Sequence, residues 1–177
     1  MSGVIYDGRP LSRGLVGNLG TCQFAENHAD VVIVGYGGDR EGLSGYALAR
    51  RTRRRRLRTL YVRMPDLFID GEEKLADGIS KQKLLRKYAR YDALAVDEWL
   101  IDPLDPDRLR LMFEPVDGRG DAASTIWCSQ HPVPDWHQRL GGGTHADAIL
   151  DRIVHNVTVV ETGEINMREL TACGSRA

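Results

Sequence analysis

The chain has 177 residues and a net charge of −1, with 42% hydrophobic and 28% charged residues. That length predicts one domain able to bury about 70% of its unfolded surface, so neither disulfides nor a metal are needed for folding, and wholesale disorder is excluded. No run of 18 apolar residues exists to span a bilayer, and Met1 to Pro10 lack the apolar core of a secretory signal. Three cysteines, Cys22, Cys128 and Cys173, form no C-x-x-C pair, which suits a reducing cytoplasm.

Charge is divided unevenly along the chain. Residues 1–63 carry eleven arginines against five carboxylates, and the remainder is net acidic. The excess lies in Arg50, Arg51, Arg53, Arg54, Arg55, Arg56, Arg58 and Arg63. Such a run marks a face attracted to a polyanion such as DNA. The plainer reading is a solvated helix end whose arginines complement the negative end of the helix dipole.

Short apolar runs alternate with helical patterns. Val31 to Val34 reads as a buried strand leading into Gly35-Tyr36-Gly37-Gly38, and a helix follows from about Leu43 to Arg56. Thr59 to Val62 is a second strand. Residues 65–88 look helical but interrupted at Asp70-Gly71 and Asp77-Gly78, with Lys81 to Arg90 the clearest part. Ala93 to Val96 is a third strand, closed by Asp97-Glu98. A helix opens near Asp105, with Pro106 at its first position, and Pro115 is expected to end or kink it. Thr125 to Cys128 and Val157 to Val160 are further strands, separated by an amphipathic helix from Ala146 to His155. Continuous apolar strands alternating with helices predict an α/β fold: a parallel sheet of about five strands with helices on both faces.

In such sheets ligands sit beyond the carboxyl ends of the strands. The turn from Gly35 to Gly42 has the layout of a phosphate-binding P-loop, in which backbone N–H groups cradle phosphate oxygens. Four apolar residues followed by Asp97-Glu98 form a Walker B pattern, with Asp97 helping to hold Mg²⁺ and Glu98 polarising an attacking water. An acidic pair in this position also serves simply to cap the next helix. Ser129 and Gln130, after the fourth strand, offer polar groups to orient water or a γ-phosphate.

Several stretches in order resemble the IstB-like ATPases, AAA+ transposition helpers of insertion sequences related to bacterial helicase loaders. They are Arg9 to Leu15, Tyr61 to Leu67, Lys87 to Asp92, Val96 to Leu100, Cys128 to Gln130 with Asp135-Trp136-His137, Leu140 to Gly143, and Ala146 to Asn156 with Asn166 to Glu169. The resemblance implies an AAA+-type P-loop NTPase domain over residues 31–172, preceded by a shortened N-terminal remnant (1–30) and followed by a tail (173–177). It implies ATP and Mg²⁺ as cofactors, self-association, DNA and a transposase as partners, and no membrane. Asp97 and Glu98 then resemble the catalytic acidic pair, Gln130 the sensor-1 amide, Arg152 an arginine reaching a neighbouring subunit's nucleotide, and Arg168 the sensor-2 arginine. Arg152 pairing with Asp151 or Glu161, and Arg168 as a solvated tail residue, are the structural alternatives.

The phosphate turn departs from this pattern. Its residues for nucleotide contact are Gly35, Gly37, Gly38, Arg40, Glu41 and Gly42, but Glu41 stands where lysine belongs and Gly42 where serine or threonine belongs. The first lysine of the chain is Lys74, so no shift in alignment supplies one. ATP binding is therefore expected to be weakened. The alternative function is a nucleotide-free module that keeps the fold and contacts DNA or protein. His28, His131, His137, His145 and His155 fit no metal-ligand spacing, Gly42 to Tyr46 is not a serine-hydrolase elbow, and Trp99, Trp127 and Trp136 read as core or loop anchors.

Overall fold

A computed structural model describes residues 13–35, 40–119 and 122–162. Five strands form one parallel sheet: β1 (Asp30–Gly35), β2 (Thr59–Arg63), β3 (Ala93–Asp97), β4 (Ser124–Ser129) and β5 (Val157–Thr162). Their order across the sheet is β2-β3-β4-β1-β5. The register sets Val31 beside Ile126, Leu60 beside Leu94 and Val96 beside Trp127. All of β3 and β4 is buried, as the unbroken apolar runs predict for strands covered on both faces.

Side chains alternate between two cores. On one face Val31, Ile33, Ala95, Ile126 and Cys128 pack under α2 (Gln23–Glu26) and α3 (Arg40–Arg54). On the other, Val32, Val34, Leu94, Val96 and Trp127 pack under α4 (Met64–Ala76), α5 (Lys81–Ala89), α6 (Pro106–Arg119), α7 (Trp136–Arg139) and α8 (Gly143–His155). Ahead of the sheet, α1 (Arg13–Thr21) runs into α2, whose Phe24 and Ala25 are buried. Among the described residues no helix is long and apolar enough to cross a membrane.

Two helices run further than their sequences suggest. Helix α4 passes through Asp70-Gly71 without a break. Asp70 takes hydrogen bonds from Lys74, Lys87 and the Tyr88 hydroxyl, so it does not turn back on its own backbone. Gly71 is buried where a Cβ would already touch Leu111 and Leu84, which lets α4 lie close to its neighbours. The break at Asp77-Gly78 stands: α4 ends there with Gly78 at φ +78°, and Ser80 caps α5. Helix α6 opens as expected, with Asp105 Oδ1 accepting from the N–H groups of Asp107 and Arg108. It continues past Pro115 to Arg119, because Leu109, Met112 and Val116 are held in the core and Arg119 is anchored beyond them. Tertiary packing here outweighs the cost of a proline, about 3 kcal/mol.

Helix α3 approaches the sheet through Gly45, where a Cβ would collide with Sγ of Cys128. Gly45→Ala is therefore expected to destabilise the fold by about 1–3 kcal/mol, the range for overpacking a core. Urea unfolding measures this, and Cys128→Ala in the same chain should recover much of the loss.

Asp30 begins β1 half-buried, accepting from Thr125 N at 2.7 Å and Trp127 Nε1 at 3.0 Å. Burial raises its pKa to about 6 from 3.8, with the hydrogen bonds and Arg119 opposing the shift. The native state thus holds this proton more tightly than the unfolded chain. The stability it contributes is complete below about pH 4 and is lost as pH climbs to about 6. Asp30→Asn is expected to destabilise more at pH 4 than at pH 7, as read from unfolding midpoints at the two values.

Candidate functional site

The carboxyl ends of β3, β4 and β1 lie side by side, since these strands are neighbours in the sheet. The acidic pair sits at the first of them. Asp97 is the last residue of β3 and is buried, with Oδ1 accepting from the backbone N–H of Glu98 at 2.9 Å. Its Oδ2 accepts from the hydroxyl of Tyr61 on β2. Burial and the nearby carboxylate push the Tyr61 phenol well above its ordinary pKa, so it remains a donor.

Glu98 turns sharply away. It has φ +54°, and Leu100 follows with φ +57°, a left-handed backbone unusual for residues with side chains. The Glu98 carboxylate meets Arg63 in a fork, Nε at 2.9 Å and Nη2 at 2.7 Å. This ion pair raises the Arg63 pKa still further. The strained turn is pinned from below. Trp99 N–H donates to Cys128 O, Ser129 donates to Trp99 O at 2.8 Å, and Arg139 donates to Leu100 O. Trp99 itself is fully buried between Trp127 and Trp136, with ring centroids at 4.3 and 5.9 Å, which places all three tryptophans as internal anchors.

Ser129 is thus spent on the backbone of this turn and on His131 N–H, and its hydroxyl faces the interior rather than a ligand. Gln130 follows it, half-buried, at the head of β4. Gly35 is the final residue of β1, buried beside Thr162. Gly37 and Gly38 lie outside the described residues. Arg40, Glu41 and Gly42 form the first turn of α3, which places their backbone N–H groups at its positive end. Arg152 is exposed on α8, and Arg168 lies outside the described residues.

The arginine run divides into two groups. Arg51 donates to Gly20 O, and Arg58 forks onto Asp92, with Nη2 to Oδ1 at 2.7 Å. Arg50, Arg53, Arg54, Arg55 and Arg56 are exposed around the end of α3 and the turn after it. The sequence assigns no role at the acidic pair to Tyr61, Arg63 or Arg139, although Arg63 stands in the basic excess and Tyr61 opens one of the matched stretches. The first two were findable: they alternate toward the carboxyl end of β2, the strand next to β3.

Similarity in three dimensions gives the class. The DnaC helicase loader superposes with a TM-score of 0.66 at 15% identity, covering 86% of this chain and 92% of that one. The crystal structure of DnaI gives 0.67 at 16%, with 89% of each covered. DnaA bound to AMPPCP and single-stranded DNA gives 0.64 at 17%, covering 88% of this chain and 48% of that one. With five parallel strands in the order described and an acidic pair closing β3, the fold is that of a P-loop NTPase of AAA+ type.

The family follows from sequence. Residues 6–173 match the model of the IstB-like ATP binding proteins, and the chain belongs to that family. It is 32% identical over 162 residues to an insertion sequence ATP-binding protein of Sinorhizobium fredii, covering 92% of this chain and 65% of that protein. It is 26% identical over 138 residues to the ATP-binding protein of insertion sequence IS232 from Bacillus thuringiensis subsp. berliner, covering 78% and 55%. The chain therefore spans somewhat under two thirds of the length of these relatives.

Proposed function

We propose that the chain is a helper of DNA transposition of the IstB class, which binds target DNA and engages a transposase, and whose ATP binding and hydrolysis are impaired. The observation that carries the reading is the acidic pair, Asp97 and Glu98, at the head of β3 two strands from the β1 turn, in a chain matching the family along nearly its whole length. Were a magnesium nucleotide held there, Asp97 would face the metal, Gln130 would serve as the sensor amide, and Arg152 and Arg168 would reach the nucleotide, Arg152 across a subunit boundary. Self-association and a cytoplasmic location belong to the same proposal.

The residues present do not fit a magnesium triphosphate of the ordinary kind. The first turn of α3 carries Glu41 and Gly42 in place of a cation and a hydroxyl. A carboxylate about 4 Å from a phosphate oxygen costs on the order of 4 kcal/mol at an effective dielectric of 20. Arg40 brings a guanidinium that binds phosphate well, but where the loop pattern has glycine. Calorimetric titration with Mg·ATP is the test, and a micromolar dissociation constant in the unaltered chain overturns the impairment.

One observation favours a second reading, a nucleotide-free module that keeps the fold. Both acidic side chains already have protein partners, Tyr61 on Asp97 and Arg63 on Glu98, so the pair is satisfied without a metal. Salt-dependent DNA binding indifferent to ATP supports the module. An ATP-dependent increase in oligomer size supports the ATPase.

A further inference from the structure

A cleft opens between α3 and the edge strand β2, and Tyr61, whose hydroxyl donates to Asp97, forms part of its wall. It has a volume of about 330 Å³ and is lined by Tyr46, Arg50, Arg53, Arg54, Thr59 and Tyr61. Helical spacing explains the lining: Arg50 follows Tyr46 by four positions, and Arg53 and Arg54 follow Arg50 by three and four, so all four share one face of α3.

Three features of the cleft bear on what it takes. No carboxylate lines it. Arg51, Arg58 and Arg63 are tied to protein acceptors, whereas none of Arg50, Arg53 and Arg54 has an ion pair or side-chain hydrogen bond among the described residues. Three like charges crowded on one wall repel each other, and a polyanion relieves that repulsion. The third feature is aromatic. Tyr46 is 50% exposed, yet its ring is braced against that of Tyr61 at 5.4 Å and 87°. A half-exposed ring held in place offers an apolar face at little entropic cost.

We infer that this cleft binds a single-stranded nucleic acid, with Arg50, Arg53 and Arg54 on successive phosphates and Tyr46 against an unstacked base. The inference rests on the DNA-handling reading above and assigns it a site and a strand state. Arginines beside an aromatic platform are the combination that unpaired strands use, because every base has a stackable face and every nucleotide a phosphate. Duplex bases are already stacked on each other and present no free face to Tyr46.

Fluorescence anisotropy without nucleotide tests this, using an oligothymidylate of about 20 nucleotides and a mixed-sequence duplex of equal length at several salt concentrations. The oligothymidylate is expected to bind at least about tenfold more tightly than the duplex. Replacing Arg50, Arg53 and Arg54 together by alanine should weaken binding by about a hundredfold and reduce the slope of log K against log salt by about 2. The matched variant on the opposite face, Lys83→Ala with Arg86→Ala and Arg90→Ala, removes the same charge from exposed positions of α5 and its cap. It should leave affinity within about threefold, as expected for charges making no phosphate contact. Tyr46→Ala should cost about tenfold and Tyr46→Phe almost nothing, since stacking needs the ring and not the hydroxyl.

Equal losses in the two triple variants would assign binding to general charge and overturn the cleft. Duplex bound as tightly as single strand, or a silent Tyr46→Ala, would overturn the strand assignment. Duplex binding untouched by the α3 triple would leave the DNA-handling function standing while removing this site from it, and no binding to either probe would end both. Circular dichroism of each variant, all altered at solvent-facing positions, confirms that the comparison is between folded chains.

Discussion

Glu41→Lys combined with Gly42→Ser is expected to tighten Mg·ATP binding by about a thousandfold or more. The electrostatic part alone supports this figure, because exchanging a repulsion of about 4 kcal/mol for an attraction of similar size leaves ample margin for losses elsewhere. The serine adds the hydroxyl that the loop pattern directs toward Mg²⁺. Both changes fall in the first turn of α3, whose backbone N–H groups already point out of the helix's positive end. Calorimetric titration of the two proteins side by side gives the ratio directly. Affinity unchanged by the double substitution would mean that the loop is not what limits binding. The ion pair between Arg63 and Glu98 and the Tyr61 hydroxyl on Asp97 would then be the contacts that oppose it.

Arg119→Met is expected to destabilise the fold by about 3–5 kcal/mol, the scale for removing one partner from a buried charged network. Arg119 closes α6 and is 3% exposed. Its guanidinium donates through Nη1 to Tyr88 O at 2.7 Å and Tyr91 O at 3.0 Å, and through Nη2 to Ser124 O at 2.7 Å. A fourth bond runs from Nε to Thr125 Oγ1 at 3.3 Å. One side chain thereby joins the end of α6, the exit from α5 and the start of β4. Burial lowers its pKa to about 10, against the pull of Asp30 and Asp92, which leaves it charged at neutral pH. Methionine fills similar space but donates nothing, so three backbone carbonyls lose a charged donor. It also removes a cation that holds the Asp30 pKa down, so the Asp30 titration should move to higher pH in this variant. Urea unfolding reads the first effect, and its pH dependence the second. Arg119→Lys should recover only part of the loss, because an ammonium cannot reproduce the planar fork. A cost below about 1 kcal/mol would show these bonds to be replaceable by water.

Much of the fold was legible because the signals that carry it are local. The five apolar runs from Val31 to Val160 appear as five strands, each within a residue or two of its expected bounds. Asp105 and Pro106 open α6 as capping chemistry requires. Of the site, Asp97 and Glu98 were visible as a strand ending in two acids, and Glu41 and Gly42 as departures from a phosphate loop. Other features escaped because their causes lie far away in sequence. Asp70-Gly71 reads as a break until Lys87 and Tyr88 arrive to occupy the carboxylate and Leu84 and Leu111 to close on the glycine. Pro115 reads as a stop until the core on either side of it is counted.

By itself the sequence determined the class of fold, the family resemblance and the missing lysine, since periodicity, capping and residue identity are properties of short stretches of chain. Only the tertiary structure decided which charges are already spent. Arg51, Arg58 and Arg63 read alike with Arg50, Arg53 and Arg54 in a single basic run, yet the first three meet Gly20, Asp92 and Glu98 and the others face a cleft. An ion pair depends on distance in space, and the partners of these arginines lie 31 to 35 residues away along the chain.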